Sequence, residues 1–171
     1  MHRIILVRHG QSIWNQDSKF TGWTNIPLTN HGRQEATQMA KTLIQHTIFP
    51  TVLFTSVLQR SIETSQLIQR EFKQMPIYTS WRLNEKHYGT LEGVPRQHIR
   101  DVYGEPFTTM MRSNYTIKPP LITRHYKSIR FIKIVISRRF SMENPKKTYW
   151  IVCYLIMKMI SCLPYRKIIH R

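Results

Sequence analysis

Cysteine is almost missing from these 171 residues: Cys153 and Cys162 are the only two, both near the end. Two late thiols build neither a disulfide scaffold nor a cysteine metal site. Acidic residues are scarce, 9 against 26 Lys and Arg, leaving a formal net charge of +17. Glycine stops at Gly104 and alanine at Ala40. A bilayer-spanning run is lacking as well: the stretch from Tyr149 to Leu163 is 15 residues long and interrupted by Lys158, short of the roughly 20 residues a membrane helix needs. Met1-His2-Arg3 leads straight into an apolar strand-like run rather than a secretory signal, so a cytoplasmic location is expected.

What is present describes a soluble globular chain, 41% hydrophobic and 20% charged, with enough length for one domain with a real core. A charge of +17 taken alone suggests nucleic acid or an anionic membrane. Its distribution argues against both. Residues 1–120 carry 14 basic and 8 acidic residues, a net of +6, whereas residues 121–171 carry 12 basic residues against Glu143 alone, a net of +11. The excess belongs to the last part of the chain, and the two parts need separate explanations.

Ile4-Ile5-Leu6-Val7 is a continuous apolar run, the pattern of a strand buried on both faces of a sheet. It stops at Arg8-His9-Gly10, where open α/β sheets bind ligands. Arg8 offers a planar fork for phosphate or carboxylate, His9 a base, acid or nucleophile, and Gly10 a backbone that other groups can approach closely. A strand end followed by a polar turn accounts for these nine residues equally well. Beyond an aromatic loop, Thr29 is placed to cap a helix whose apolar stripe is Ala36, Met39, Ala40, Leu43 and Ile44. Pro50 ends that segment. Val52-Leu53-Phe54 reads as a second strand, with a second helix beginning near Val57 and a short strand near Ile77 to Thr79. Strand and helix in alternation predict an α/β fold with a mostly parallel sheet and helices on both faces. Arg60, in the first turn of the second helix, is a candidate second clamp on an anion, although a solvated helix arginine is the commoner case. Glu85, among aromatic and basic neighbours, is either a tuned carboxylate or a surface ion pair.

Leu6-Val7-Arg8-His9-Gly10-Gln11-Ser12, Trp14-Asn15, Phe20-Thr21-Gly22-Trp23, Leu28-Thr29, Gly32 and Glu35-Ala36 resemble the cofactor-dependent phosphoglycerate mutases of the histidine phosphatase superfamily. Thr55 to Arg60 and Leu83 to Gly93 look like two further blocks of the same enzymes, in order. The Arg-His-Gly triplet marks the broad superfamily; the Phe-Thr-Gly-Trp and Asn-Glu-Lys-His-Tyr-Gly blocks narrow it to the mutases. The resemblance implies that His9 is phosphorylated and that Glu85 is the general acid and base for the substrate hydroxyl. It implies phosphate contacts by Arg8, Arg60 and Asn15, and substrate contacts by Thr21, Gly22 and Tyr88. Arg96 stands where the family usually has a lysine. Arg112 matches one of a pair of substrate-gripping arginines, with Ser113 in the second place, which should weaken substrate binding. The activity implied is interconversion of 2- and 3-phosphoglycerate in glycolysis and gluconeogenesis, with 2,3-bisphosphoglycerate as primer and no metal. A plain phosphomonoesterase of the superfamily, and a non-catalytic relic or basic binding module, are the alternatives. The partner implied is a small phosphorylated three-carbon acid, with a homo-oligomer compatible and nucleic acid or membrane contact not expected.

The resemblance covers about residues 1–120, the mutase-like part, and ends after Pro119-Pro120. The family carries a second His-Gly in its later half, whereas His125 and His170 here are followed by tyrosine and arginine. Residues 121–171 therefore read as a basic, non-matching tail, with a strand over Ile129 to Ile136 as its one predicted element. The abrupt loss of resemblance favours a shifted reading frame over a basic membrane- or nucleic-acid-binding appendix. The sheet is then expected to be incomplete at its C-terminal end, and activity reduced or lost.

Overall fold

The structure, a computed structural model, describes residues 2–73, 75–114, 117 and 148–153. Its elements in order are β1 (His2–Val7), α1 (Ile13–Gln16), α2 (Asn30–Gln45), β2 (Pro50–Thr55), α3 (Gln59–Glu71), β3 (Ile77–Thr79), α4 (Arg96–Ser113) and β4 (Thr148–Cys153). Short 3-10 turns at Trp81–Leu83 and Gly89–Leu91 lie between β3 and α4. The strands form one sheet in the order β1-β4-β2-β3, every pairing parallel. This is the α/β architecture expected from the alternation of strand and helix.

The local signals behave as their chemistry requires. Thr29 is the N-cap of α2, its hydroxyl accepting from the Gly32 N–H at 3.0 Å. α2 already stops at Gln45, and Pro50 opens β2, a first-residue position at which a strand tolerates its missing donor. α3 begins at Gln59, two residues later than the pattern suggested, with Leu58 as a cap that makes no side-chain hydrogen bond. α4 is broken at Gly104 (φ 81°, ψ 161°), two residues before Pro106, so it is two helices meeting at a glycine that a Cβ-bearing residue would strain.

Val7, Ala40, Leu43, Leu53, Ile68, Phe72 and Met75 make one buried cluster, with α2 and α3 packed on the same face of the sheet. The expectation that β1 is buried on both faces needs correction. Val7 faces the cluster at 2% exposure, but Ile4 and Leu6 point the other way and stay 42% and 38% exposed, although Val52 and Phe54, aligned with them across β4, are buried at 6% and 7%. A second cluster, Phe20, Leu91, Ile99 and Met111, packs α4 against the loops beyond the strand ends.

β4 belongs to the segment read as a tail. Its backbone runs between β1 and β2, pairing Leu6 with Val152 and Phe54 with the same residue. The first part of the Tyr149 to Leu163 stretch is thus an interior strand of the sheet. The strand predicted over Ile129 to Ile136 lies outside the described residues. Among the described residues no helix is long and apolar enough to cross a membrane.

Leu53, fully buried where β2 meets α2 and α3, is the position at which this packing is most directly tested. Leu53→Ala is expected to lower stability by about 2–5 kcal/mol through lost burial and the cavity left behind. Urea denaturation measures this, and a change near zero would mean the cluster is not packed as described.

Candidate active site

His9 follows β1 by two residues and is 4% exposed. Its Nδ1 lies 2.6 Å from the carbonyl oxygen of Gly10. A carbonyl can only accept, so Nδ1 carries the proton and Nε2 keeps its lone pair. That Nε2 is buried and has no hydrogen-bond partner. Burial, with the nearby charges of Arg60 and Arg8, pushes the imidazole down from 6.5 to about 3 against the opposing pull of the Gly10 carbonyl. The ring is therefore neutral at any physiological pH, with one nitrogen available as a nucleophile.

The turn carrying His9 is held by a backbone crossing. A Cβ on Gly10 would fall 2.0 Å from the Gly32 carbonyl oxygen, and one on Gly32 would fall 2.1 Å from that of Gln11. The start of α2 thus rests directly on the end of β1, an approach that only glycine permits. The Gly10 N–H donates to Thr64 Oγ1 on α3 at 3.2 Å.

Arg60 is not a solvated helix arginine. It is fully buried; Nη1 donates to the Thr24 carbonyl at 3.0 Å and Nη2 to the Gly22 carbonyl at 2.7 Å. Nη2 also lies 3.0 Å from Glu85 Oε2, an ion pair of two nearly inaccessible side chains. Glu85 Oε1 accepts the Gly22 N–H at 2.8 Å. Burial raises the Glu85 carboxyl above its usual range, with Arg60 and the Gly22 N–H opposing and Glu92 reinforcing the rise. A carboxyl so placed holds a proton more readily than one in water, as a general acid requires.

The other sequence-predicted residues gather around this pair. Thr21 is 4% exposed and its Oγ1 is buried without a partner. Gly22 sits at φ 58°. Asn15 gives its Oδ1 to the Ser12 N–H at 3.2 Å, in a capping box that opens α1, which leaves the Nδ2 donors for an incoming group. Tyr88 packs on Phe20 at 4.9 Å between ring centroids. The Arg96 guanidinium has a buried Nε without a partner and is lowered by burial and by the charges of Arg112 and Arg8, while Tyr88 and Glu85 act the other way. Arg8 and Arg112, both exposed, thus stand within electrostatic reach of Arg96 at the mouth of the site. Ser113 directs its hydroxyl to the Thr109 carbonyl of its own helix at 2.8 Å and adds no contact to the mouth.

Glu92 lies within the block from Leu83 to Gly93, and neither its type nor its spacing points to a role. Its carboxylate accepts from the Trp23 N–H (3.0 Å), the Thr24 N–H (3.1 Å), the Thr24 hydroxyl (2.7 Å) and the Tyr88 N–H (3.0 Å). It ties the loop of Thr21 and Gly22 to the loop of Tyr88. No signal in the sequence distinguished it from a surface carboxylate. Of the seven buried side-chain atoms without a hydrogen bond among the described residues, five belong to His9, Thr21, Arg60, Glu85 and Arg96. Unused polar capacity thus concentrates at one place, and its three donors, Thr21 Oγ1, Arg60 Nε and Arg96 Nε, suit a polyoxygen anion. Among the described residues no group of three or more His, Cys, Asp and Glu stands together to hold a metal ion.

The profile of the histidine phosphatase superfamily (branch 1) matches residues 4–134. The chain is 45% identical over 122 residues to the 2,3-bisphosphoglycerate-dependent phosphoglycerate mutase of Staphylococcus carnosus (strain TM300), covering 70% of this chain and 54% of that protein. It is 41% identical over 129 residues to the enzyme of the same description from Staphylococcus aureus (strain JH9), covering 74% and 57%. The chain spans about half the length of the curated relatives it matches. Among solved structures, Bacillus stearothermophilus YhfR superposes with a TM-score of 0.70 at 26% identity, over 90% of this chain and 74% of that one.

The buried neutral imidazole has a consequence for stability. An unfolded chain protonates His9 near 6.5 and the folded chain only at about 3, so between these values the unfolded state holds the extra proton. The folded state is unpenalised above about pH 6.5 and loses stability as pH falls towards 3, by a total of the order of 5 kcal/mol. In His9→Asn the loss on going from about pH 7 to about pH 4 should be roughly 3 kcal/mol smaller, measured by urea unfolding. Equal losses in the two chains would exclude a neutral, buried His9.

Proposed function

The chain belongs to the histidine phosphatase superfamily, branch 1, and on that basis we propose that it transfers phosphoryl groups through a phosphohistidine at His9, as a phosphoglycerate mutase. The observation that carries the reading is the free, unprotonated Nε2 of His9 beside a buried Arg60–Glu85 pair. Phosphoryl transfer needs mainly positioning and charge stabilisation. Nε2 attacks phosphorus and the N–P bond forms as the ester P–O bond breaks; Glu85, the counter-charge of Arg60 when ionised, delivers a proton to the departing oxygen from its protonated form, which burial favours. Arg60, Arg8 and Asn15 receive the phosphoryl oxygens. Arg60 keeps an unbonded Nε for this while its two terminal nitrogens hold the Gly22 and Thr24 carbonyls. Arg96, Arg112, Tyr88, Thr21 and Gly22 face the rest of the molecule.

The substrate proposed is 2- or 3-phosphoglycerate, with 2,3-bisphosphoglycerate as the primer that charges His9. The cluster of unpaired donors and the cationic mouth fit an acid bearing both phosphate and carboxylate. A phosphomonoesterase activity is the second reading. It is favoured by Ser113, whose hydroxyl stays within its own helix and so leaves Arg112 a thinner grip on a carboxylate. No second His-Gly follows in residues 121–171. Mutase turnover of the chain assayed as residues 1–171 is expected to be at least about a hundredfold below that of a relative carrying both segments, since one donor at the transferring group is worth roughly 3 kcal/mol.

Incubation with 2,3-bisphosphoglycerate is expected to leave an acid-labile, base-stable phosphate on the chain, absent in His9→Ala; label persisting in that variant would assign the nucleophile elsewhere. In Arg60→Lys, which keeps the charge and loses the fork, labelling should slow at least about tenfold. An unchanged rate would remove Arg60 from the phosphate site. Turnover of 3-phosphoglycerate against generic phosphomonoesters then separates mutase from phosphatase.

A further inference from the structure

Lys86 lies between two site residues, Glu85 and Tyr88, yet takes no part in the chemistry above. It is 6% exposed, and its ammonium donates to the carbonyls of Met111 at 2.8 Å and Asn114 at 3.0 Å. These carbonyls sit at the C-terminal end of α4, where main-chain oxygens have no partner within the helix. A cation is favoured there by the helix dipole as well. The two capped residues flank Arg112 on either side. The Met111 side chain is fully buried against Phe20, Leu91 and Ile99, so this end of α4 is pinned by packing and by charge at once. Pinning is needed because the Arg112 and Arg96 guanidiniums stand close enough for each to oppose the other's charge. Burial pushes the Lys86 ammonium down to about 8.

We infer that Lys86 is a positioning residue for substrate: by capping the end of α4 it fixes Arg112 at a set distance from Glu85 and Tyr88, so that the carboxylate of a three-carbon phosphate is gripped while its phosphoryl group lies at His9. The inference rests on the phosphoglycerate reading above. One loop then carries the proton-transfer carboxyl at Glu85 and, through the next residue, the placement of the substrate arm across the pocket. Lys86 acts through Arg112 and touches no reacting atom.

The test is binding to the full chain, by calorimetry, of 3-phosphoglycerate and of orthovanadate, a phosphoryl mimic without a carboxylate. Lys86→Met fills the same space without donors and is expected to weaken 3-phosphoglycerate about tenfold, the worth of a charge-assisted hydrogen bond, with orthovanadate unchanged. Lys86→Arg should restore binding. Adding Lys86→Met to Arg112→Ala should produce no further loss, since the two act as one unit. Should Lys86→Met fail to fold, Lys86→Gln, which retains a donor to one carbonyl, gives the same comparison at smaller amplitude. Additive losses in the double variant, or orthovanadate weakened as much as 3-phosphoglycerate, would overturn the inference. An unaltered chain that binds orthovanadate but not 3-phosphoglycerate overturns the phosphoglycerate reading itself, a result distinct from either.

Discussion

A guanidinium removed from water must find both counter-charge and acceptors inside the protein, and breaking such a buried pair costs about 3–5 kcal/mol. Arg60 meets this requirement with three groups: the Glu85 carboxylate and the carbonyls of Gly22 and Thr24. They come from two different parts of the site. Arg60 comes from the start of α3, Gly22 and Thr24 from the loop after α1, and Glu85 from the turn after β3. The pair therefore closes the pocket structurally as well as electrostatically. Arg60 also acts electrostatically on His9 and Glu85. The positive charge of Arg60 helps keep His9 neutral and opposes the upward pull of burial on Glu85.

Around that pair the chain uses backbone contact rather than side-chain bulk. Gly10 and Gly32 bring β1 and α2 into main-chain contact under His9, and a Cβ on Gly22 would lie 2.0 Å from Glu92 Oε1. Three glycines thus mark places where a loop or helix end presses on the site. Glu92 and Lys86 complete the frame from the same short segment as Glu85, one gathering the loop of Thr21 to Thr24 and the other holding the end of α4. Preorganisation of this kind suits a reaction in which the protein supplies position and charge more than covalent chemistry.

Much of the fold was legible in the residues alone. The stripe of Ala36, Ala40 and Leu43 and the cap at Thr29 located α2, and the runs ending at Val7 and Phe54 located two strands, because periodicity and capping are local. β4 was not legible. Thr148 to Cys153 lies in a basic segment whose composition suggested a tail, and a strand's place inside a sheet depends on the partners it meets, not on its own pattern. The exposure of Ile4 and Leu6 was hidden for the same reason, since a run of apolar residues states a preference for burial but not whether anything covers it.

The sequence by itself determined the kinds of group available: an imidazole and arginine at the end of the first strand, a second arginine at the start of a helix, and a carboxylate in an aromatic, basic stretch. Their order and spacing sufficed for the family. Tertiary structure decided what each group is. Arg60 could have been a solvated helix arginine and Glu85 a surface ion pair. Burial made them one interior pair, and a carbonyl one residue away from His9 set which of its nitrogens carries the proton. Residue type fixes what a side chain can do, but its protonation and its partners follow from desolvation and from neighbours that are distant in sequence, such as Gly22 and Glu85, separated by 63 positions.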